Sequence, residues 1–255
     1  FELISTTLYD GMTPIIPLKL LSEALVASVY WLDKCVNWKW LVKLFFPKIT
    51  PVFRLKFGTN STLFPTIPFS SEKIYSEFGE LEVDILINNA GVGKGFSPIF
   101  LAEPDDINTT TETNVTSFLH LLRAVVPGMV KRKKGHIINI GSIAGLYPVS
   151  SSVYGGSKGA VHMINQNLRV ELSGTGVRAT EICPGRVNTE FFDVAFSDNP
   201  DKRKQMTSGL KLLEQEDVAD AIMFAINAPW RMNVSMIELT PTEQVPGGSI
   251  IKEAK

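Results

Sequence analysis

From Ser71 onward the chain alternates short apolar runs with longer amphipathic stretches, and this beat restricts the fold more than any other feature. Val83–Ile87 is a short run ending in Asn and Gly. His136–Ile140 and Val177–Cys183 are two more, the second closed by Pro184-Gly185, and Ser235–Thr240 is the last. Runs this apolar suit strands covered on both sides. Between them lie stretches of helical period. Residues 105–130 carry apolar side chains at Val115, Phe118, Leu119, Leu122, Val125, Val126 and Met129, a stripe at three- and four-residue spacing. Residues 152–173 and 216–228 predict two more helices, and 71–79 a short one. The basic run Lys131–Lys134 ahead of Gly135 reads as a helix end, with cations at the negative pole of the dipole. Strands alternating with helices imply a doubly wound parallel α/β sheet with helices on both faces.

Residues 1–70 do not share this beat. They are rich in Leu, Val, Trp, Phe and Pro, with a helical stretch at about 18–46. Lys19, Glu23, Asp33, Lys34, Lys39 and Lys43 interrupt that stretch too often for a membrane span. A buried or partner-facing helix is the first reading, and an interfacial membrane helix the second. No basic stretch leads into an apolar core and a small-residue cleavage site, so the expected location is the cytoplasm. A net charge of −1 gives no field to attract nucleic acid. Cys35 and Cys183 can build neither a disulfide framework nor a zinc site, and His120, His136 and His162 read as surface or loop residues rather than metal ligands.

The chemistry gathers around Tyr154 and Lys158, four residues apart and therefore on one helical face. A phenol holds its proton too tightly to exchange it near neutrality, and a neighbouring ammonium lowers that pKa. Spacing alone is weak evidence, since Tyr30 and Lys34 match it by accident. The pair at 154 and 158 has companions. Ser142 ends a strand twelve residues earlier, placed to hydrogen-bond a substrate oxygen. Asn114 lies in the long helix and can anchor a water-linked proton path to the lysine. Asn88-Asn89-Ala90-Gly91 and Pro184-Gly185-Arg186-Val187-Asn188-Thr189 each follow a strand, at the carboxyl edge where such sheets bind ligands.

In this order, Asn88-Asn89-Ala90-Gly91, Asn114, Ser142, Tyr154-x-x-x-Lys158 and Pro184-Gly185-x-Val187-x-Thr189 resemble the short-chain dehydrogenase/reductase family. Gly135–Gly145 and Pro127-Gly128-Met129-Val130 are similar to its 3-hydroxy acid and serine 3-dehydrogenase branch. The resemblance covers about residues 71–245. It implies a Rossmann-type fold forming a single domain over 1–255, and an oxidoreductase passing hydride between a nicotinamide cofactor and a small carbonyl or hydroxyl substrate, such as a 3-hydroxy acid. It implies NADP as cofactor, with NAD as the alternative, and a homo-oligomer. Tyr154 would be the acid/base, with Lys158 lowering its pKa and holding the nicotinamide ribose. Ser142 would position the carbonyl and Asn114 support the proton relay. Asn89, Ala90, Gly91, Pro184, Gly185, Val187 and Thr189 would join Tyr154 and Lys158 in contacting cofactor.

The chain departs from the family pattern twice. The Ser142–Tyr154 spacing is one residue shorter than usual. Residues 1–70 hold only Gly11 and Gly58, so the Thr-Gly-x-x-x-Gly-x-Gly turn that normally cradles the pyrophosphate is missing. That gap motivates a rival from another class, a cofactor-deficient, inactive relative serving as a binding or scaffolding protein. A serine hydrolase is a further rival. Gly155-Gly156-Ser157-Lys158-Gly159 matches the nucleophile-elbow spacing, but the last histidine is His162, so no acid–histidine pair follows as that fold requires. Gly91-Val92-Gly93-Lys94-Gly95 lacks the first glycine and the terminal hydroxyl of a phosphate loop.

Overall fold

A computed structural model of the chain describes Tyr75 and residues 82–149, 151–196 and 200–245. The helices expected at 18–46 and 71–79 lie outside these residues, apart from Tyr75, which is helical. Four strands form one parallel sheet in sequence order: β1 (Ile85–Asn88), β2 (Gly135–Ile140), β3 (Val177–Pro184) and β4 (Met236–Leu239). The long helix expected at 105–130 is in two parts, α1 (Pro104–Thr111) and α2 (Ser117–Arg132), joined by a π-helical turn at Glu112–Thr116. α3 spans Ser152–Glu171. After β3 come two short helices, α4 (Phe191–Ala195) and α5 (Pro200–Thr207), and then α6 (Gln215–Asn227).

Two apolar cores lie back to back across the sheet. Leu86, Ile137 and Ala179 pair in register and face Phe118, Leu122, Val125 and Met129 of α2 and Val161 and Leu168 of α3. The alternate residues Ile138 and Ile182 face Val218, Ala219, Ile222 and Met223 of α6. The apolar stripe of α2 is as expected, except that Leu119 is exposed. The strand order never reverses, yet α2 and α3 cover one face and α6 the other. The crossover from β3 to β4 is therefore opposite in hand to the two before it, an exception to the usual single-handedness of such connections.

Two local readings are corrected. Gly135 does not stop α2. The left-handed capping position is taken by Lys133, at φ 54°, and Gly135 opens β2. Glycine is needed there because the Met129 side chain fills the space of a Cβ. His136 is not a surface or loop residue either. It is a buried strand residue facing away from α2 and α3. Arg178 Nη2 can only donate, so the contact of 3.1 Å makes His136 Nδ1 an acceptor. His136 Nε2 then donates to Thr180 Oγ1 at 2.8 Å, which donates to the Val234 carbonyl. Polar residues survive in this core because each meets a partner.

Burial, aided by the Arg178 guanidinium, lowers the His136 pKa to about 3. The native imidazole thus stays neutral while an unfolded one titrates near 6.5. Below that pH the unfolded chain takes up a proton that the folded chain refuses. Stability should therefore fall as pH drops from about 6.5 towards 3, by up to ~1.4 kcal/mol per pH unit from this residue. Urea melts at pH 6.5 and 4.5 check this, and His136→Gln should lose less than the unsubstituted protein.

Candidate functional site

The polar residues singled out in the sequence converge at the carboxyl ends of β1, β2 and β3. Asn88 ends β1 and is buried, with its carboxamide 3.4 Å from the Phe118 carbonyl. Asn89, Ala90 and Gly91 follow it and are exposed, so their backbone borders open space. Gly91 lies beneath two functional side chains. A Cβ there would fall 3.4 Å from Asn114 Oδ1 and 3.5 Å from Lys158 Nζ.

Asn114 sits in the π-helical turn, and such turns recur at functional sites because the extra residue re-aims a side chain. Its carboxamide accepts from Val92 N at 2.8 Å, donates to the Val92 carbonyl at 3.0 Å and donates to Ser157 Oγ at 3.0 Å. The loop after β1 is thereby tied to α3. Ser157, the centre of the hydrolase-like pentapeptide, lies within α3 and donates to the Tyr154 carbonyl at 2.7 Å. It is a helix-interior hydroxyl rather than a residue on a strand-to-helix elbow.

Ser142 precedes a single 3₁₀ turn, and its Oγ accepts from Ala144 N at 3.1 Å. Ser151 caps α3 by accepting from Tyr154 N at 3.2 Å, which fixes where the helix begins and so where Tyr154 points. The Ser142 side chain acts on the Tyr154 phenol and draws its pKa down. Its ring is buried against Phe96, with centroids 4.9 Å apart, and Phe191, 5.5 Å apart. Burial pushes the phenol pKa up to about 12, against the smaller downward pull of the Ser142 side chain. The net shift is thus upward, where the sequence led us to expect the Lys158 ammonium to draw it down. Lys158 Nζ instead donates to the Ile140 carbonyl at 2.9 Å. Burial lowers its pKa to about 8, while the Cys183 sulfur and the Glu181 carboxylate pull the other way.

The segment after β3 forms the remaining wall. Gly185 N donates to the Leu239 carbonyl at 2.7 Å and Arg186 N to Gln244 Oε1 at 3.0 Å. Val187 bridges to Leu213, and Thr189 Oγ1 accepts from Phe191 N at 3.2 Å at the start of α4. Pro184 is buried, whereas Gly185, Val187 and Thr189 are half-buried. Phe191 lies over Gly93, where a Cβ could not fit beneath its ring.

Sequence reasoning missed three parts of this neighbourhood. The aromatic cover of Phe96 and Phe191 left a faint trace, since both flank the loops already singled out. Glu181 is wholly buried in the apolar run of β3, and a carboxylate in such a run was a signal passed over. His162, read as a surface or loop residue, holds that carboxylate with Nδ1 2.8 Å from Oε2.

A parallel sheet with glycine-bearing loops and a polar cluster at its carboxyl edge defines the class of dinucleotide-binding α/β proteins. Within that class, this chain belongs to the short chain dehydrogenase family, whose profile matches residues 69–200. It is 40% identical over 168 residues to the NADP-dependent 3-hydroxy acid dehydrogenase YdfG of Escherichia coli K12, covering 65% of this chain and 68% of the relative. The enzyme of the same name from Salmonella typhi is 39% identical over 165 residues, covering 64% and 66%. The chain thus spans about two thirds of the length of the curated relatives it matches. Among solved structures, the closed form of serine dehydrogenase complexed with NADP+ superposes with a TM-score of 0.67 at 36% identity, covering 72% of this chain and 77% of that one. Among the described residues no helix is long and apolar enough to cross a membrane.

Proposed function

We propose that the chain is an NADP-dependent oxidoreductase acting on a small carbonyl or hydroxyl compound, with 3-hydroxy acids as the substrate class. The observation that carries this is the Tyr154 phenol, buried against Phe96 and Phe191, acted on by Ser142 and set one helical turn from Lys158, whose Nζ lies beside Gly91. The substrate class comes from the relatives, which are NADP-dependent 3-hydroxy acid dehydrogenases.

The residues present fit the nicotinamide end of the cofactor. Gly91 leaves open the space that a Cβ would fill between Asn114 and Lys158. In this reading Lys158 holds the ribose hydroxyls, and Asn89 to Gly91 with Pro184, Gly185, Val187 and Thr189 line the cleft. NADP supplies the hydride acceptor when bound, and its reduced form the donor. Ser142 orients the substrate oxygen by hydrogen bonding, and Tyr154 gives a proton to that oxygen in reduction or takes one in oxidation. With its pKa near 12 the phenol holds its proton at neutral pH, which suits it to the reductive direction. Asn114 keeps the loop after β1 against α3, so that Gly91 and Lys158 stay in register.

The glycine turn missing from residues 1–70 leaves the scaffold alternative as the second reading, but the described residues add nothing in its favour. One Rossmann-type domain over 1–255, working in the cytoplasm, is the organisation that accompanies this proposal. A homo-oligomer accompanies the reading through the family resemblance. The test is NADP+ reduction at 340 nm with serine and other small 3-hydroxy acids. Substrate-dependent absorbance is the expected result, and none with any such acid or the matching carbonyl would remove the proposal.

A further inference from the structure

We propose that Glu181 and His162 form a buried positioning pair for Lys158, in which the carboxylate, tethered by the imidazole, is the counter-charge that keeps the ammonium seated on the Ile140 carbonyl. The proposal rests on the reading of Lys158 as the lysine that holds cofactor.

Glu181 is 0% exposed, on the face of β3 that packs against α3. A carboxylate removed from water is costly unless cations or donors compensate it. His162 accounts for Oε2, at 2.8 Å, while Oε1 accepts no hydrogen bond. That free atom occupies the place a Cβ would take at Gly141. The Ile140–Gly141 peptide is thus clasped from two sides, by the Lys158 ammonium on the Ile140 carbonyl and by the Glu181 carboxylate on the Gly141 α-carbon. Gly141 N, in turn, donates to the Ile182 carbonyl at 2.8 Å, which locks the peptide to β3. The next residue is Ser142, so the same peptide sets the serine that acts on the Tyr154 phenol.

The other titratable groups on this side are few. Cys183, two residues along β3, is on the same side; burial followed by the carboxylate's charge raises its thiol pKa, and it acts on Lys158 together with Glu181. Tyr154 is neutral. Beyond β3, Tyr147 donates to Glu238 Oε2 at 3.0 Å at the sheet's exposed end. Glu181 is thus the buried carboxyl behind Lys158, and His162, with a quarter of its side chain exposed, separates it from solvent.

The experiment follows the Lys158 ammonium directly, by 15N-lysine NMR against pH, with the resonance assigned by its loss in Lys158→Arg. It is paired with the pH profile of kcat/KM. Glu181→Gln should lower the Lys158 midpoint by about one pH unit, a tenfold fall in the ammonium-to-amine ratio, and the alkaline limb of kcat/KM should move with it. Glu181→Asp, which keeps the charge one methylene further back, should shift it less, and it serves as the readout if Glu181→Gln does not fold. His162→Gln should also lower the midpoint, because the carboxylate loses its tether. An unchanged midpoint in Glu181→Gln, or in Glu181→Asp if only that variant folds, overturns the pair whatever turnover does. An unchanged midpoint in His162→Gln overturns the tether. A purely structural role would lower activity at every pH and leave the midpoint in place. A shifted midpoint with no turnover even in the unsubstituted protein would sink the oxidoreductase reading and leave the pair standing.

Discussion

Tyr154→Phe should reduce turnover by at least 10²–10⁴-fold, the range that general acid/base catalysis contributes, while leaving the fold intact. The hydroxyl is the only atom group lost. The ring keeps its contacts with Phe96 and Phe191, and the cap of α3 uses Tyr154 N rather than its side chain. Lys158→Ala should do nearly as much, since it removes the cation beside Gly91 and its anchor on Ile140. The phenol's raised pKa adds a pH signature. Oxidation of an alcohol needs the phenolate, so its rate should climb with pH above neutrality in the unsubstituted protein. Any residual oxidation in Tyr154→Phe should lack that climb. Turnover followed by NADPH absorbance, beside circular dichroism to verify the fold, makes the check. Full activity in Tyr154→Phe would end the assignment of that residue.

The second large effect concerns the cofactor. This 255-residue chain should bind NADP at least tenfold more weakly than a relative that carries the glycine turn, a loss of about 1.4 kcal/mol or more. Pyrophosphate is held in this fold by backbone N–H groups at a helix N-terminus, approached closely enough that only glycine avoids collision. Residues 1–70 contain Gly11 and Gly58 and no such cluster, so the contacts left are those around the nicotinamide and its ribose. Calorimetric titration with NADP and NAD decides the matter. Binding as tight as that of the intact relative would mean that residues 1–70 build a phosphate site by other means.

The order of strands and helices was legible because burial leaves a periodic mark. Ile137 and Ile138 face opposite cores, and the near-continuous apolar runs of β2 and β3 announce a sheet covered twice. The stripe at Phe118, Leu122, Val125 and Met129 likewise marks the buried side of α2. The candidate site was legible for a different reason. Tyr154 and Lys158 are fixed relative to each other by helical geometry, and Ser142, Asn114 and Asn89–Gly91 were found by their order along the chain. Where the sequence misled, one residue type had two uses. Gly135 looked like a helix stop and proved to be packing space for Met129, while Lys133 took the left-handed position at a cost of about 1 kcal/mol.

By itself, then, the sequence determined the elements, their parallel arrangement and the identities of the residues gathered at the strand ends, because these depend on spacing and on the solubility of each side chain. The tertiary structure alone decided which face each helix covers, including the reversed hand of the last crossover. It also decided the electrostatics. No spacing rule could show that burial lifts the Tyr154 phenol, that Lys158 rests on Ile140, or that Glu181 and His162 meet at 2.8 Å behind it. Desolvation and charge interaction depend on distances through space between residues far apart in the chain, and those distances exist only once the sheet has brought β2, β3 and α3 together.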